Sequence, residues 1–413
     1  WAAVGGASGA LGPVLGGLLL RWYSWHSVFL INIPIIAVLL VAGHVILPTS
    51  KAPHAPRLDP VGAGLSMIGL VTLLWGIISL PTDGFGDPRV SGSLTVGILV
   101  MAAFVVWELT CSDPMLDMRF FKNRRFSAAN IAITLVYFAM FGQMFVMGQY
   151  MQVVLGYSAL GAGLRTIPMS VVMIIVAPMA PRLVEKVGTK LVVGAGLLVA
   201  SAGVLWNSFI PLTNGYLHLV SGMVLIACGM GLTMAPATES IMGSLPPAKA
   251  GVGSAMNDTT RQIGGALGVA ILGSILTAIY RPHLFDSLTA VGAPPQVIST
   301  AQESVGVAVL GVARSPQLPP GLGAEVAHAA SQAYVDGVHV AMKIGALVLW
   351  LAAACVFAWL PARAEDVRDE VAGPLDGLAS LTWAEAEGAL EASTYEETHG
   401  HAATDGSDAG ERA

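Results

Sequence analysis

Of the 413 residues, 54% are hydrophobic and only 11% are charged, about half the charged share of a soluble globular domain. At roughly 20 apolar residues per crossing, the chain has room for about ten membrane spans and their loops, which excludes a water-soluble enzyme as a description of its bulk. The formal net charge of −6 is concentrated at one end: residues 361–413 hold 13 of the 26 acidic and three of the 20 basic side chains, a net −10, and say nothing about an acidic or basic ligand.

Ten hydrophobic runs follow one another at about 2–20, 27–47, 61–80, 92–111, 127–150, 161–181, 190–210, 217–240, 252–279 and 339–360. A bare backbone finds no hydrogen-bond partner in hydrocarbon, so these runs predict helices and an all-α, polytopic bundle. Trp1 lies inside the first run with no initiator Met, basic leader or cleavage site, so no signal peptide is expected and the natural start is expected upstream. If the first run travels outward, the inner connections hold twelve Lys and Arg, including Lys51, Arg57, Arg119, Arg124, Lys186 and Arg363. The outer ones hold only Arg21, Arg89, Arg281 and Arg314. That asymmetry predicts a multi-pass protein of the cytoplasmic membrane with its C-terminus inside. Residues 281–338 are expected to be a long outer loop with a surface helix near 324–335, and residues 361–413 an acidic, disordered tail. Cys111, Cys228 and Cys355 are far apart in sequence, and the His399–His401 pair in the tail lacks a third ligand, so neither a disulfide framework nor a metal site is expected.

The first run contains Gly9-Ala10-Leu11-Gly12-Pro13-Val14-Leu15-Gly16-Gly17, and the ninth contains Gly265-Ala266-Leu267-Gly268-Val269-Ala270-Ile271-Leu272-Gly273. The shared GALG start is read either as equivalent helices of two structural repeats or as chance similarity between glycine-rich helices. In the first run Gly5, Gly9, Gly12 and Gly16 recur at helical spacing, leaving a face bare enough for a neighbouring helix to come close. Pro13 removes one backbone hydrogen bond and invites a kink.

The string Gly9-x-x-Gly12-Pro13-x-x-Gly16-Gly17 resembles the antiporter motif of major facilitator superfamily drug exporters, which lies on their fifth helix. Trp25-His26-Ser27-Val28-Phe29-Leu30-Ile31-Asn32-Ile33-Pro34 resembles the start of the sixth helix in the fourteen-helix drug:proton antiporters, departing from it at His26 and Ser27. Leu58-Asp59-Pro60-Val61-Gly62, the segment Pro114–Phe126, the join at Gln149–Arg165 and the start Ala250–Gly265 resemble later stations of the same family in order.

The resemblance implies the major facilitator fold, with helices five to fourteen present and the first four absent. It divides the chain into 1–47 (the last two helices of an N-terminal bundle), 48–126 (two linker helices and an inner loop), 127–360 (a C-terminal six-helix bundle) and the tail. It implies proton-coupled efflux of amphipathic drug-like or antibiotic-like molecules, with protons, substrate and lipid bilayer as partners. Without its first four helices, such a chain is not expected to transport by itself. The alternative is a transport-incompetent membrane fragment or sensor on the same fold. No HExxH, GxSxG on a soluble segment, P-loop or aqueous carboxylate pair occurs, so no enzyme and no cofactor is expected, and the lack of a basic patch speaks against nucleic acid.

Ionisable side chains inside a membrane are costly and so become functional candidates. Asp258 and Arg261 stand at i, i+3 and can pair on one helix face, either as a proton-responsive pair facing a cavity or as a structural salt bridge. Glu239, after Pro236 and Thr238, either protonates during a cycle or snorkels to the interface. Arg165 is read as an outer anchor or a substrate ligand. Tyr137, Met140, Met144, Met147 and Met151 share helical spacing with Gln143 at the edge. They form either an adaptable binding surface or a packing stripe. The family fold places their helices around the central cavity.

Overall fold

The computed structural model describes residues 2–46, 59–111, 114–116, 118–245, 250–316, 318–319 and 321–360, and no strand occurs among them. The expected inner-loop residues Lys51, Arg57, Asp117 and Lys249 and the acidic tail, with His399 and His401, lie outside the described residues. The described residues all belong to one compact unit.

The chain forms α1 (Ala2–Trp22), α2 (Ser27–Leu30), α3 (Asn32–Ile46), α4 (Pro60–Asp83), α5 (Pro88–Thr110), α6 (Arg124–Gln149), α7 (Ala159–Arg165), α8 (Ile167–Val176), α9 (Met179–Val187), α10 (Thr189–Asn207), α11 (Tyr216–Met242), α12 (Ala250–Ala290), α13 (Pro295–Ala301) and α14 (Leu322–Trp359). Nine segments among the described residues are long and apolar enough to cross a membrane, and α1 covers the remaining run. The multi-pass, all-helical architecture is therefore as the hydrophobic runs predict.

Local chemistry sets the helix starts. Asp59 caps α4 by accepting the Gly62 N–H at 2.8 Å, and Asp87 caps α5 by accepting the Arg89 N–H at 2.7 Å. Each is followed by a proline in the first turn, where its missing N–H costs nothing. Asn123 caps α6. The join between α9 and α10 is a single residue, Gly188, at φ +85°, a left-handed conformation that a side chain resists.

Small residues then bring the helices together. Gly196 and Gly203 on α10 face Gly229 and Gly222 on α11, and a Cβ at Gly196 or Gly203 would meet the opposite carbonyl at 2.8 or 2.7 Å. On α12, Gly264 and Gly268 lie against the carbonyls of Thr134 and Phe138 on α6, with no room for a methyl group. Without a hydrophobic drive between helices in lipid, such backbone proximity and van der Waals contact hold the bundle. Buried hydroxyls tie α14 to its neighbours: Ser201 on α10 donates to the Ala346 carbonyl at 2.8 Å, and Tyr334 donates to the Val146 carbonyl on α6 at 2.7 Å. The helices α4 and α5 form a hairpin, with Gly97 against the Leu73 backbone. Ser274 on α12 ties the hairpin to the bundle by donating to the Ile77 carbonyl at 2.9 Å.

Two expectations change. The stretch 281–338 is mainly helix rather than loop. The helix α12 continues through Pro282 to Ala290, and α14 begins at Leu322. At 1.5 Å per residue they are about 60 and 57 Å long, far beyond a hydrocarbon thickness of about 30 Å. Their projecting ends bury Tyr280, Leu284 and Leu288 together with Val326, Ala330 and Tyr334. They are covered by α13 and by the π-helical turn Val307–Gly311. The Tyr280 hydroxyl donates to the Ala301 carbonyl at 2.9 Å, and His283 lies 3.2 Å from Asp336.

The second change concerns α1. Among the described glycines of its bare face, Gly12 and Gly16 have nothing within 4 Å of a would-be Cβ. The close approach to α7 falls instead on Gly17, against the Leu160 backbone, and on the Pro13 carbonyl, against Gly163.

Candidate functional site

Three helices, α6, α11 and α12, converge on Arg261. Its Nη2 donates to the Thr238 hydroxyl at 3.0 Å, and its Nη1 lies 3.9 Å from Asp258 Oδ1, one helical turn back. The guanidinium carbon stands 5.5 Å from the centroid of the Tyr137 ring, within cation–π range. Thr238 in turn points its hydroxyl at Asn257 Oδ1, 3.5 Å away. The arrangement follows from sequence. Pro236 lies inside α11 just before Thr238, and Gly264 and Gly268 draw α12 onto α6 so that Arg261 reaches Tyr137.

The pair is lopsided. The Arg261 side chain is 14% exposed and Asp258 is 63% exposed. At that separation and exposure, the ion pair contributes only about 0–1 kcal/mol, which rules out treating Asp258 as a deeply buried charge. Its carboxylate is largely exposed, while Arg261 is held by other groups too.

The remaining candidates separate. Glu239 is exposed near the end of α11, close enough to Arg125 for their charges to interact. Arg165 is a fastening: Nη1 donates to the Gly161 carbonyl at 3.0 Å, and the guanidinium lies 3.9 Å from the Tyr157 ring centroid and 5.6 Å from that of Tyr216. It clamps α7 to the start of α11. The methionine stripe divides by depth. Met147 and Met151 are buried, Met140 is half-buried, and Met144 is exposed beside Phe141 and Phe145. Tyr137 stacks on Phe141 with centroids 6.0 Å apart, so a band of aromatic and thioether surface runs along α6 from the Arg261 cluster. Gln143 is buried, with its side-chain oxygen lacking a hydrogen-bond partner. Gly12, Pro13, Gly16 and Gly17 all lie on α1, where Pro13 and Gly17 meet α7.

Sequence reasoning did not single out Asn257. Its only signal is its place beside Asp258, since a neutral amide carries no charge to betray burial. No group of three or more His, Cys, Asp or Glu side chains able to hold a metal occurs among the described residues.

Residues 1–269 match the family model described as the Major Facilitator Superfamily. The chain is 31% identical over 356 residues to the multidrug efflux pump LfrA of Mycolicibacterium smegmatis, covering 86% of this chain and 69% of that one. It is 30% identical over 367 residues to the tetracenomycin C resistance and export protein of Streptomyces glaucescens, covering 86% and 67%. With the methyl viologen resistance protein SmvA of Salmonella typhimurium it shares 30% identity over 369 residues, covering 88% and 72%.

Proposed function

The chain belongs to the Major Facilitator Superfamily, and on that premise we propose that it exports amphipathic, cationic or antibiotic-like small molecules across the cytoplasmic membrane in exchange for protons. The observation that carries the reading is Asp258, an open carboxylate beside an arginine already secured by Thr238 and Tyr137. Such a carboxylate can hold a proton or a cationic substrate, but one excludes the other, and that competition yields exchange when the empty site does not switch sides. The names of three relatives, each an efflux, export or resistance protein, support drug efflux.

The exposed band of Phe141, Met144 and Phe145 offers flexible and polarizable surface on which apolar molecules of different shape can lie. We assign the C-terminal bundle to 127–360 and regard α4 and α5 as the linker pair of a fourteen-helix transporter with a cytoplasmic C-terminus. Within the glycine–proline string on α1, Pro13 and Gly17 supply a close contact with α7 between moving halves.

The test is efflux of a lipophilic cation from cells expressing the complete gene. Accumulation should fall relative to cells lacking it, and a protonophore should abolish the difference. Efflux that survives collapse of the proton gradient and stops on ATP depletion would overturn the proposal.

A further inference from the structure

Away from Arg261, the adjoining ends of α4 and α5 bring two carboxylates together. Asp59 Oδ1 accepts the Gly62 N–H, and the Trp107 indole N–H donates to both Asp59 oxygens at 3.1 and 2.9 Å. Glu108, in the last turn of α5, is 2% exposed. Its Oε2 accepts the Leu116 N–H at 2.8 Å, while its Oε1 has no hydrogen-bond partner. Oε1 and Asp59 Oδ2 point into the same small space beside Gly62, where a Cβ would touch both. Among the described residues no cation pairs with either carboxylate. From α4 the facing charge is Asp59. On the 3-10 turn Met118–Lys122, Lys122 is exposed and makes no contact with the pair.

We propose that Asp59 and Glu108 form a proton-binding site that holds one proton between two carboxyl groups at the end of the linker hairpin. Two like charges facing one buried space cannot both stay ionised cheaply, and sharing a proton relieves the conflict. The indole and the α4 amide already donate to Asp59, so Asp59 is the ionised member. The proton comes from water onto Glu108 Oε1, which then donates to Asp59 Oδ2. A metal ion fits poorly. Calcium asks for six to eight oxygens, and the Trp107 N–H presents its positive end to the same carboxylate. With the proton in place, the two carboxyls join the start of α4, the end of α5 and, through Leu116, the loop leading to α6. Without it, repulsion loosens that junction. The site is separate from Asp258 and stands whether or not the efflux reading does.

The test is infrared difference spectroscopy on the complete-gene product in lipid nanodiscs, stepped from acidic to alkaline pH. A protonated-carboxyl band should persist at neutral pH and disappear in Glu108→Gln, which keeps the shape and both hydrogen bonds. In Asp59→Asn, where Asn still caps the helix, the band should remain but titrate at lower pH. A neutral-pH band unchanged in Glu108→Gln, no such band in the parent protein, or its removal by added magnesium or sodium would each overturn the proposal.

Discussion

Asp258 and Arg165 make opposite predictions at the scale of single residues. Asp258→Asn keeps the size of the side chain but can neither take up a proton nor neutralise a bound cation. Efflux by the complete-gene product should lose its dependence on pH and fall by about tenfold or more, the scale of one lost charge-assisted contact. Arg165→Lys loses the planar stacking on Tyr157 and Tyr216, at a cost of about 0.5–1 kcal/mol. It should transport near the parental rate with slightly lower thermal stability. Drug accumulation assays at several pH values check both, and equal, unaltered efflux in the two variants would leave Asp258 a structural residue. The Asp258–Arg261 pairing was legible in the sequence because i, i+3 spacing places both on one face. Thr238 as the second holder of Arg261 was not, since that contact crosses from α11 to α12 and no local spacing encodes it. Glu108 escaped notice for a related reason: beside a loop it reads as an interfacial acid, and only the fold shows the Asp59 carboxylate facing it.

Glycine governs the contacts between elements. Gly268→Leu should force α12 away from the Phe138 carbonyl. Overpacking a tight joint costs about 1–3 kcal/mol, and here the obstacle is backbone, which cannot rotate aside. Monodisperse protein after detergent extraction should therefore drop sharply. Gly148→Ala on α6, where nothing lies within 4 Å, should leave that yield unchanged; similar behaviour of the two variants would contradict this account of the α6–α12 joint. Hydrophobic length revealed the helices themselves, because a membrane span needs a long apolar run whatever its tertiary surroundings. It failed at the projecting ends of α12 and α14. There the apolar residues are spaced three to four apart among polar ones, and Pro282 looks like a stop. Leu284, Leu288, Val326 and Ala330 are nonetheless buried, because two amphipathic helices outside a membrane cover one another as soluble helices do.

At the scale of the whole molecule, the unequal distribution of Lys and Arg predicts that the C-terminal tail faces the cytoplasm. A reporter fused after Pro361 should be active inside the cell, and a periplasmic signal would reverse the assigned direction of every helix. That orientation sets the projecting ends of α12 and α14 outside. Such an extension makes α12 a lever. Arg261 lies near one end and Tyr280 about 28 Å further along, locked to Ala301 by its hydroxyl. Tilting a rod of that length by about ten degrees swings its far end by about 5 Å. Conformational changes too small to resolve around Asp258 should thus be magnified at the outer end, where a fluorescent or spin label at exposed Phe285 can follow them in intact cells without entering the membrane.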